Sequence, residues 1–418
     1  MRFLPYPRSV KPMSGPLSGY KVLDMSRVLA GPWAGQMLAD LGASVIKIER
    51  PSVGDDTRSW GPPYLKDKAG DNYDDAAYFF CANRGKQSVT VDITQPEGQK
   101  IIYQLAGQCD VLIENYKVDG LKKYGLDYES ISAINPKLVY CSITGFGQTG
   151  PYAKRPGYDF LIQGMGGLMS VTGAPDDEAG GPVKVGVAVT DLFTGLYAAN
   201  AIQGALLERH QSGLGQYIDL ALLDVQAAVL ANQASNYLIG GDVPKRLGNA
   251  HPNIVPYQAF ATADSHVILA VGNDGQFKRL CDALKKPEWV TDDRYTINSA
   301  RVEHRQQLCA AISLCLREKT SAAWLQAFQE AKVPCGPISR IDQVFSDPQI
   351  LARNMVVKVA DHRAGEIPLV ANPIKYSRTP IVYTLAPPAL GTSTDDVLEN
   401  DLAYSESQIK ALRDKSII

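Results

Sequence analysis

Short, largely apolar runs recur along the first half of the chain with amphipathic segments between them, and this rhythm restricts the fold more than any other feature. Lys21–Met25 (KVLDM), Ser44–Ile48 (SVIKI), Asp110–Glu114 (DVLIE) and Leu138–Ile143 (LVYCSI) each match the length of one buried strand. Between them, Trp33–Leu41 and Glu97–Leu105 carry apolar residues at helical spacing, and Pro32 suits a first helical turn. Buried strands separated by helices predict parallel β-α-β units, an α/β fold with helices on both faces of one sheet. Val185–Val189 (VGVAV) and Gln216–Leu220 (QYIDL) are two further expected strands. Leu192–Glu208 predicts a long helix that is apolar nearly all round and therefore buried, and Leu223–Leu238 predicts another.

The texture changes after Gly240. Tyr257–Ala261 and His266–Ala270 predict a hairpin around Ala263-Asp264, followed by helices at Gly275–Leu284, Arg301–Leu316 and Ala322–Ala331. We expect a large α/β domain beginning in 1–224, a smaller α+β domain over 225–340, and a C-terminal segment, 341–418, that returns to the large domain. That segment contains strand-like Ile367–Val370 and a last helix, Ser405–Asp414, in which Ser405 and Gln408 have capping-box spacing.

Charge and cysteine usage exclude several classes. A net charge of −2 without a Lys/Arg run argues against nucleic acid as a partner, and no apolar stretch is long enough for a membrane span. The cysteines (Cys81, Cys109, Cys141, Cys281, Cys309, Cys315 and Cys335) lack any CxxC pair. They fit neither a zinc site nor a disulfide framework and read as buried thiols of a reducing compartment. The expected location is the cytoplasm, with the mitochondrial matrix as the alternative for a eukaryotic source. Met1–Met13 is basic, but Pro5, Pro7 and Pro12 leave it no apolar core of a secretory signal and no convincing amphipathic helix, with a remnant of an organellar presequence as the alternative reading.

The candidate chemistry narrows by elimination. The first histidine is His210, so no Ser-His-Asp or Cys-His device can be built within the preceding residues. His210, His251, His266, His304 and His362 have no metal-ligand spacing. Asp55-Asp56-Thr57-Arg58 reads as a local cap with its following arginine, and no metal is assigned to it. The first β-α-β turn, Leu29-Ala30-Gly31-Pro32-Trp33-Ala34-Gly35, lacks the second glycine of a dinucleotide fingerprint. Arg50, Lys123 and Arg155 near expected strand ends are either solvated cations or contacts to a phosphorylated ligand. Asp191, directly after the expected strand Val185–Val189, reads as the N-cap of the next helix, as a nucleophile, or as both, since the roles are compatible and a carboxylate needs no general base to attack an activated carbonyl. His251, in Gly248-Asn249-Ala250-His251-Pro252, either fixes its loop or serves a site.

Several segments together resemble the class III CoA-transferases, the formyl-CoA and carnitine CoA-transferase group that also includes 2-methylacyl-CoA racemases. They are Arg27–Pro32, Leu41–Arg50, Gly54–Arg58, Glu114–Tyr116, Gly145–Pro151 and Gly186–Gly195. The resemblance runs from about Pro16 to the C-terminus. It implies that Asp191 is the catalytic aspartate, carrying acyl and CoA groups covalently. Coenzyme A contacts are implied at Leu29, Ala30, Arg50, Val91, Asp92, Ile93, Thr94, Asn115, Tyr116, Lys117 and Lys123. Tyr158, Gly248, Asn249 and His251 are the expected acceptor contacts. The implied architecture is a Rossmann-like large domain with a small domain, in a homodimer whose subunits interlock as rings. The substrates would be an acyl-CoA and a carboxylate, with no permanently bound cofactor.

Within that family, racemases move a C2 proton with a histidine of a Gly-His-Asp triplet, where this chain has Gly157-Tyr158-Asp159. A tyrosine, with a pKa of about 10, is a poor replacement at neutral pH. The racemase glutamate also lacks a counterpart, Asp274 being only nearby. Leu29 stands where formyl-CoA transferases have glutamine, and the loop around His251 replaces their glycine-rich one. The loop looks like that of the subgroup that uses succinyl-CoA with glutarate, hydroxymethylglutarate or other dicarboxylates, and Leu29 further weakens formate and oxalate as the pair.

Overall fold

The computed structural model describes residues 15–418, so Met1–Met13 lies outside the described residues. The chain forms two compact units. One takes the residues up to Leu168, Val185–Ser235 and Pro348–Ile418, and the other takes Met169–Lys184 and Asn236–Asp347.

The first unit is built on a six-stranded sheet of β1 (Lys21–Asp24), β2 (Ser44–Glu49), β3 (Lys86–Thr90), β4 (Val111–Glu114), β5 (Val139–Thr144) and β6 (Tyr217–Ala221). Its spatial order is 3-2-1-4-5-6 and every neighbouring pair is parallel. Its helices include α1 (Ala30–Asp40), α2 (Pro96–Ala106), α3 (Tyr128–Ile134), α4 (Asp159–Met165), α5 (Val189–Ser212) and α6 (Leu222–Val229). Alternate strand residues serve opposite faces. Leu23, Ile46, Val89, Leu112 and Tyr140 pack with α2, α3 and the C-terminal helices Thr394–Asn400 and Glu406–Asp414. Val22, Val45, Val111, Val139 and Cys141 pack instead with α1 and α5. Both faces are covered, which is why β1, β2, β4 and β5 are almost uniformly apolar.

The C-terminal stretch is integral to this unit. Ser393 N–H donates to Ser88 O at 2.9 Å and Asp92 N–H to Ile417 O at 2.7 Å. The last helix has its capping box between Ser405 and Gln408.

Five expectations need correction. Val185–Val189 is not a strand, because the place beside β5 is taken by β6 and α5 begins at Val189. A β-rich run without a neighbour to pair with has no sheet to join. The helix α5 is not buried all round: Phe193, Leu196, Tyr197 and Leu207 are exposed. The segment Leu223–Leu238 breaks into α6 and Ala231–Gly240 at Ala231, whose φ is +46°, and Arg301–Leu316 breaks at His304. Finally, Cys81 is exposed and Cys309 and Cys335 only partly covered, while the other four thiols are buried and all seven are free.

The strand β3 went unforeseen because KQSVT reads as polar. Lys86 and Ser88 are nonetheless buried, satisfied by Asp24 (2.8 Å) and Glu49 (2.6 Å). The second unit has a small antiparallel sheet of Tyr257–Ala261, His266–Ala270 and Cys335–Gly336. Its own core includes Phe260, Leu269, Phe277, Leu280, Ile312 and Phe328.

Candidate active site

In a sheet of this order, β1 and β4 lie side by side while the connections that follow them diverge, opening a crevice at their carboxyl ends. The β1–α1 loop and the Asn115–Lys117 segment form its two lips. They are tied together by one side chain: Asn115 Oδ1 accepts from Arg27 N–H at 2.9 Å, and its Nδ2 donates to Arg27 O at 2.7 Å. The Arg27 guanidinium lies over the Tyr116 ring, 5.2 Å from its centroid. At the end of β4, burial raises the Glu114 carboxyl to about 7, only partly offset by its bonds from Ser142 and the Tyr116 N–H.

Two cavities open at this edge and share Arg27, Tyr116 and Lys117 on their walls. One, of about 230 Å³, is lined by Leu29, Ala30, Asn115, Arg155, Tyr158 and Asp191, among others. The other, of about 350 Å³, is lined by Arg50, Val91, Asp92, Ile93, Thr94 and Lys123, among others. The structure thus gathers twelve expected site residues, scattered from Leu29 to Asp191, along one edge of the sheet. Tyr158 joins them there, whereas Gly248, Asn249 and His251 lie in the second unit and line neither cavity.

The cations at this edge fall into two kinds. Lys47 is buried and neutralised by Asp55 at 2.9 Å. Arg50 and Lys123 form no ion pair among the described residues, and Lys123 Nζ rests 4.6 Å from the Tyr124 ring centroid. Arg155 is stacked over Tyr152 at 4.6 Å and Phe146 at 5.4 Å. Cations without carboxylate partners can give charge-assisted hydrogen bonds to phosphate or carboxylate oxygens.

Asp191 is the third residue of α5 and not its N-cap; Ala188 holds that place and offers no side-chain cap. Asp159, the first residue of α4, does the capping. Its Oδ1 accepts from Thr190 N–H at 2.9 Å and from Asp191 N–H at 3.3 Å, while Gln163 Nε2 holds its other oxygen at 2.7 Å. The Asp191 carboxyl is thereby released from capping and faces the smaller cavity. Burial first, and the like charge of Asp159 second, push it up to about 7. The helix dipole opposes this by only ~0.3–1 kcal/mol. Such a carboxyl exchanges readily between a proton-holding and a nucleophilic form near neutrality.

The remaining candidates resolve differently. Asp55 caps the short turn Asp56–Ser59 through Thr57 N–H, as a local-cap reading expects, but Arg58 pairs with Glu49 and Asp75 at 2.7 Å instead of with its own loop. His251 Nδ1 accepts from Asn253 N–H at 3.0 Å, a loop-fixing bond. No cluster of three or more His, Cys, Asp or Glu residues suited to a metal occurs among the described residues. Sequence reasoning overlooked Arg27 and Asp159. Arg27 could have been suspected from its place just after a strand, but Asp159 meets α5 across 31 residues of chain, a contact no local pattern announces.

Comparison with known proteins identifies the family. Residues 17–394 match the model of CoA-transferase family III. The chain is 54% identical, over 92% of its length and 95% of the relative's, to a protein of Agrobacterium fabrum named succinate–glutarate CoA-transferase. It is 44% identical to a mouse protein named succinyl-CoA:glutarate CoA-transferase, over 96% of this chain and 90% of that one. Among solved structures, a CAIB/BAIF family protein from Brucella suis is 48% identical and superposes with a TM-score of 0.81, covering 93% of this chain and 100% of that one.

Proposed function

The chain belongs to CoA-transferase family III and is a CoA-transferase, and from that premise we propose that it moves CoA from succinyl-CoA to glutarate through Asp191. The observation that carries this reading is the Asp191 carboxyl on the wall of a cavity that adjoins a second, cation-lined one. The names of the Agrobacterium and mouse relatives support the substrate pair.

In the proposed sequence, the Asp191 carboxylate attacks the succinyl thioester carbonyl and expels CoA thiolate, forming a mixed anhydride. The thiolate then attacks the aspartyl carbonyl, releasing succinate and leaving an aspartyl-CoA thioester. Glutarate attacks that thioester, expels the thiolate and forms a second anhydride. Attack of the thiolate on the glutaryl carbonyl finally yields glutaryl-CoA and restores the Asp191 carboxylate. No net proton moves, consistent with the lack of imidazole before His210. Arg50 and Lys123 bind phosphate or adenine in this reading, with Val91–Thr94 and Asn115–Lys117 beside them. Binding energy from that remote end holds the thiol near Asp191. The backbone N–H groups of Ala30 and Gly31, unspent in the first turn of α1, suit a tetrahedral oxyanion. Tyr158 and the Gly248, Asn249 and His251 loop are assigned to the acceptor.

The active species is further proposed to be an interlocked homodimer, acting in the cytoplasm or mitochondrial matrix. An apolar groove of about 1040 Å³ on the first unit, walled by Trp33, Phe193, Leu196 and Leu369, supports a second copy as its occupant. No helix among the described residues is long and apolar enough to cross a membrane.

The direct test is a trapped intermediate. Incubation with succinyl-CoA and no acceptor is expected to add the mass of CoA less one water to the peptide containing Asp191. Asp191→Asn is expected to lose both adduct and turnover while remaining folded. Near-normal turnover in that variant would remove Asp191 from the mechanism.

A further inference from the structure

The β1–α1 loop carries a conformation that its residue type resists. Val28 has φ +71°, in the left-handed region, where a β-branched side chain is a genuine outlier. Such a conformation persists only where the surroundings over-determine it. Here they do. Ser26 O accepts from Lys47 Nζ at 2.9 Å, Arg27 is held on both sides by Asn115, and the Val28 N–H is shared by the two carboxylate oxygens of Asp55, each at 3.3 Å. The Asp55 side chain is itself fully buried. Lys47 Nζ (2.9 Å), Thr57 N–H (3.0 Å) and Thr57 Oγ1 (2.7 Å) fix its oxygens, and Glu49 holds its backbone N–H at 2.9 Å. Burial alone would raise its pKa, yet Lys47 and the Thr57 bonds hold it down at about 2, so the carboxylate stays charged.

We propose that Asp55 is a positioning residue, whose buried carboxylate holds the Val28 amide and so keeps the Ser26–Leu29 loop in the turn that sets Arg27 and the start of α1 against Asp191. The inference rests on the reading of Asp191 as the reacting carboxyl. The strand β2 supplies the anchor through Lys47 and Glu49, and the loop supplies the strain that the anchor restrains. An Asn at position 55 has one acceptor oxygen where four donors converge, and its amide group would face the Lys47 ammonium.

The test separates this role from simple support of the fold. Asp55→Asn is expected to lower kcat/KM for succinyl-CoA by on the order of 10–100-fold, as small misplacements of reacting groups do. It should also speed hydrogen exchange of the peptide carrying Val28 in the unliganded full-length protein. Adding Val28→Gly, which accepts φ +71° without strain, should recover roughly tenfold of the lost kcat/KM, while Tm stays as low as in Asp55→Asn because Lys47 remains unpaired. If Asp55→Asn does not fold, Lys47→Met/Asp55→Asn replaces it, removing both members of the buried Lys47–Asp55 pair, and the same recovery by Val28→Gly is expected. Absence of that recovery, or recovery only in step with Tm, would overturn the proposal. Should the wild type transfer no CoA, the functional reading falls, and hydrogen exchange alone judges Asp55: faster exchange in the variant supports its hold on Val28, and unchanged exchange refutes it.

Discussion

Asp191 is under two influences that act in the same direction, and together they set a measurable pH dependence. Burial and Asp159 hold the carboxyl up at about 7, so below that pH the proton remains and the proposed nucleophile is lost. The kcat/KM for the donor is expected to rise about tenfold per pH unit up to about 7 and then level. Asp159→Asn removes the lesser of the two influences, so the rising limb should move to lower pH without reaching the free-carboxylate value. A limb unmoved by that change would show that Asp159 does not sense Asp191. The same shift bears on stability. A carboxyl whose folded pKa lies above its unfolded value favours the fold below the unfolded value, near 3.8, and loses that contribution as pH rises through about 7. The Tm advantage of Asp191→Asn over the wild type should therefore grow between about pH 4 and 7 and stay level above it.

At the scale of elements, the site depends on how closely α4 and its leading loop approach the sheet. A Cβ added at Gly157 would stand 2.3 Å from the Cα of Gly145, backbone against backbone, so neither side can yield as a flexible side chain would. Gly145 follows β5 directly, and Gly157 precedes Tyr158 and Asp159. Gly157→Ala is expected to cost about 1–3 kcal/mol of stability and to displace Asp159 from the Thr190 and Asp191 amides. Thermal unfolding and the pH–rate profile together check this: the variant should lose stability and shift its rising limb in the direction of Asp159→Asn. Strands and helices of the first unit were legible because both faces of the sheet are covered, making β1, β2, β4 and β5 nearly uniform apolar runs. Strand β3 was hidden by Lys86 and Ser88, whose burial depends on Asp24 and Glu49 elsewhere in the chain.

For the molecule as a whole, the exposed Phe193, Leu196 and Tyr197 on α5 are the features a single copy leaves unexplained. The apolar pattern of Leu192–Glu208 reads as burial, and a helix apolar all round demands it. A second copy would restore that expectation. Sedimentation is expected to find a dimer at every concentration at which activity is measurable, and dilution should yield no active monomer, since interlocked rings separate only by opening. An active monomer at low concentration would exclude the interlocked form.

What the sequence determined by itself was the kind of fold and the family. Short apolar runs alternating with amphipathic helices admit few arrangements other than a parallel sheet covered on both faces, and the motifs between Arg27 and Gly195 are local strings whose order along the chain identifies them. Tertiary structure alone decided the state of the Asp191 carboxyl. The spatial order 3-2-1-4-5-6 brings the ends of β1 and β4 together, α4 arrives to cap α5 in place of Asp191, and burial sets the proton affinity of the carboxyl that is released. Hydrogen bonds across 31 residues and the removal of water from a side chain depend on packing, and packing has no period that a single sequence can display.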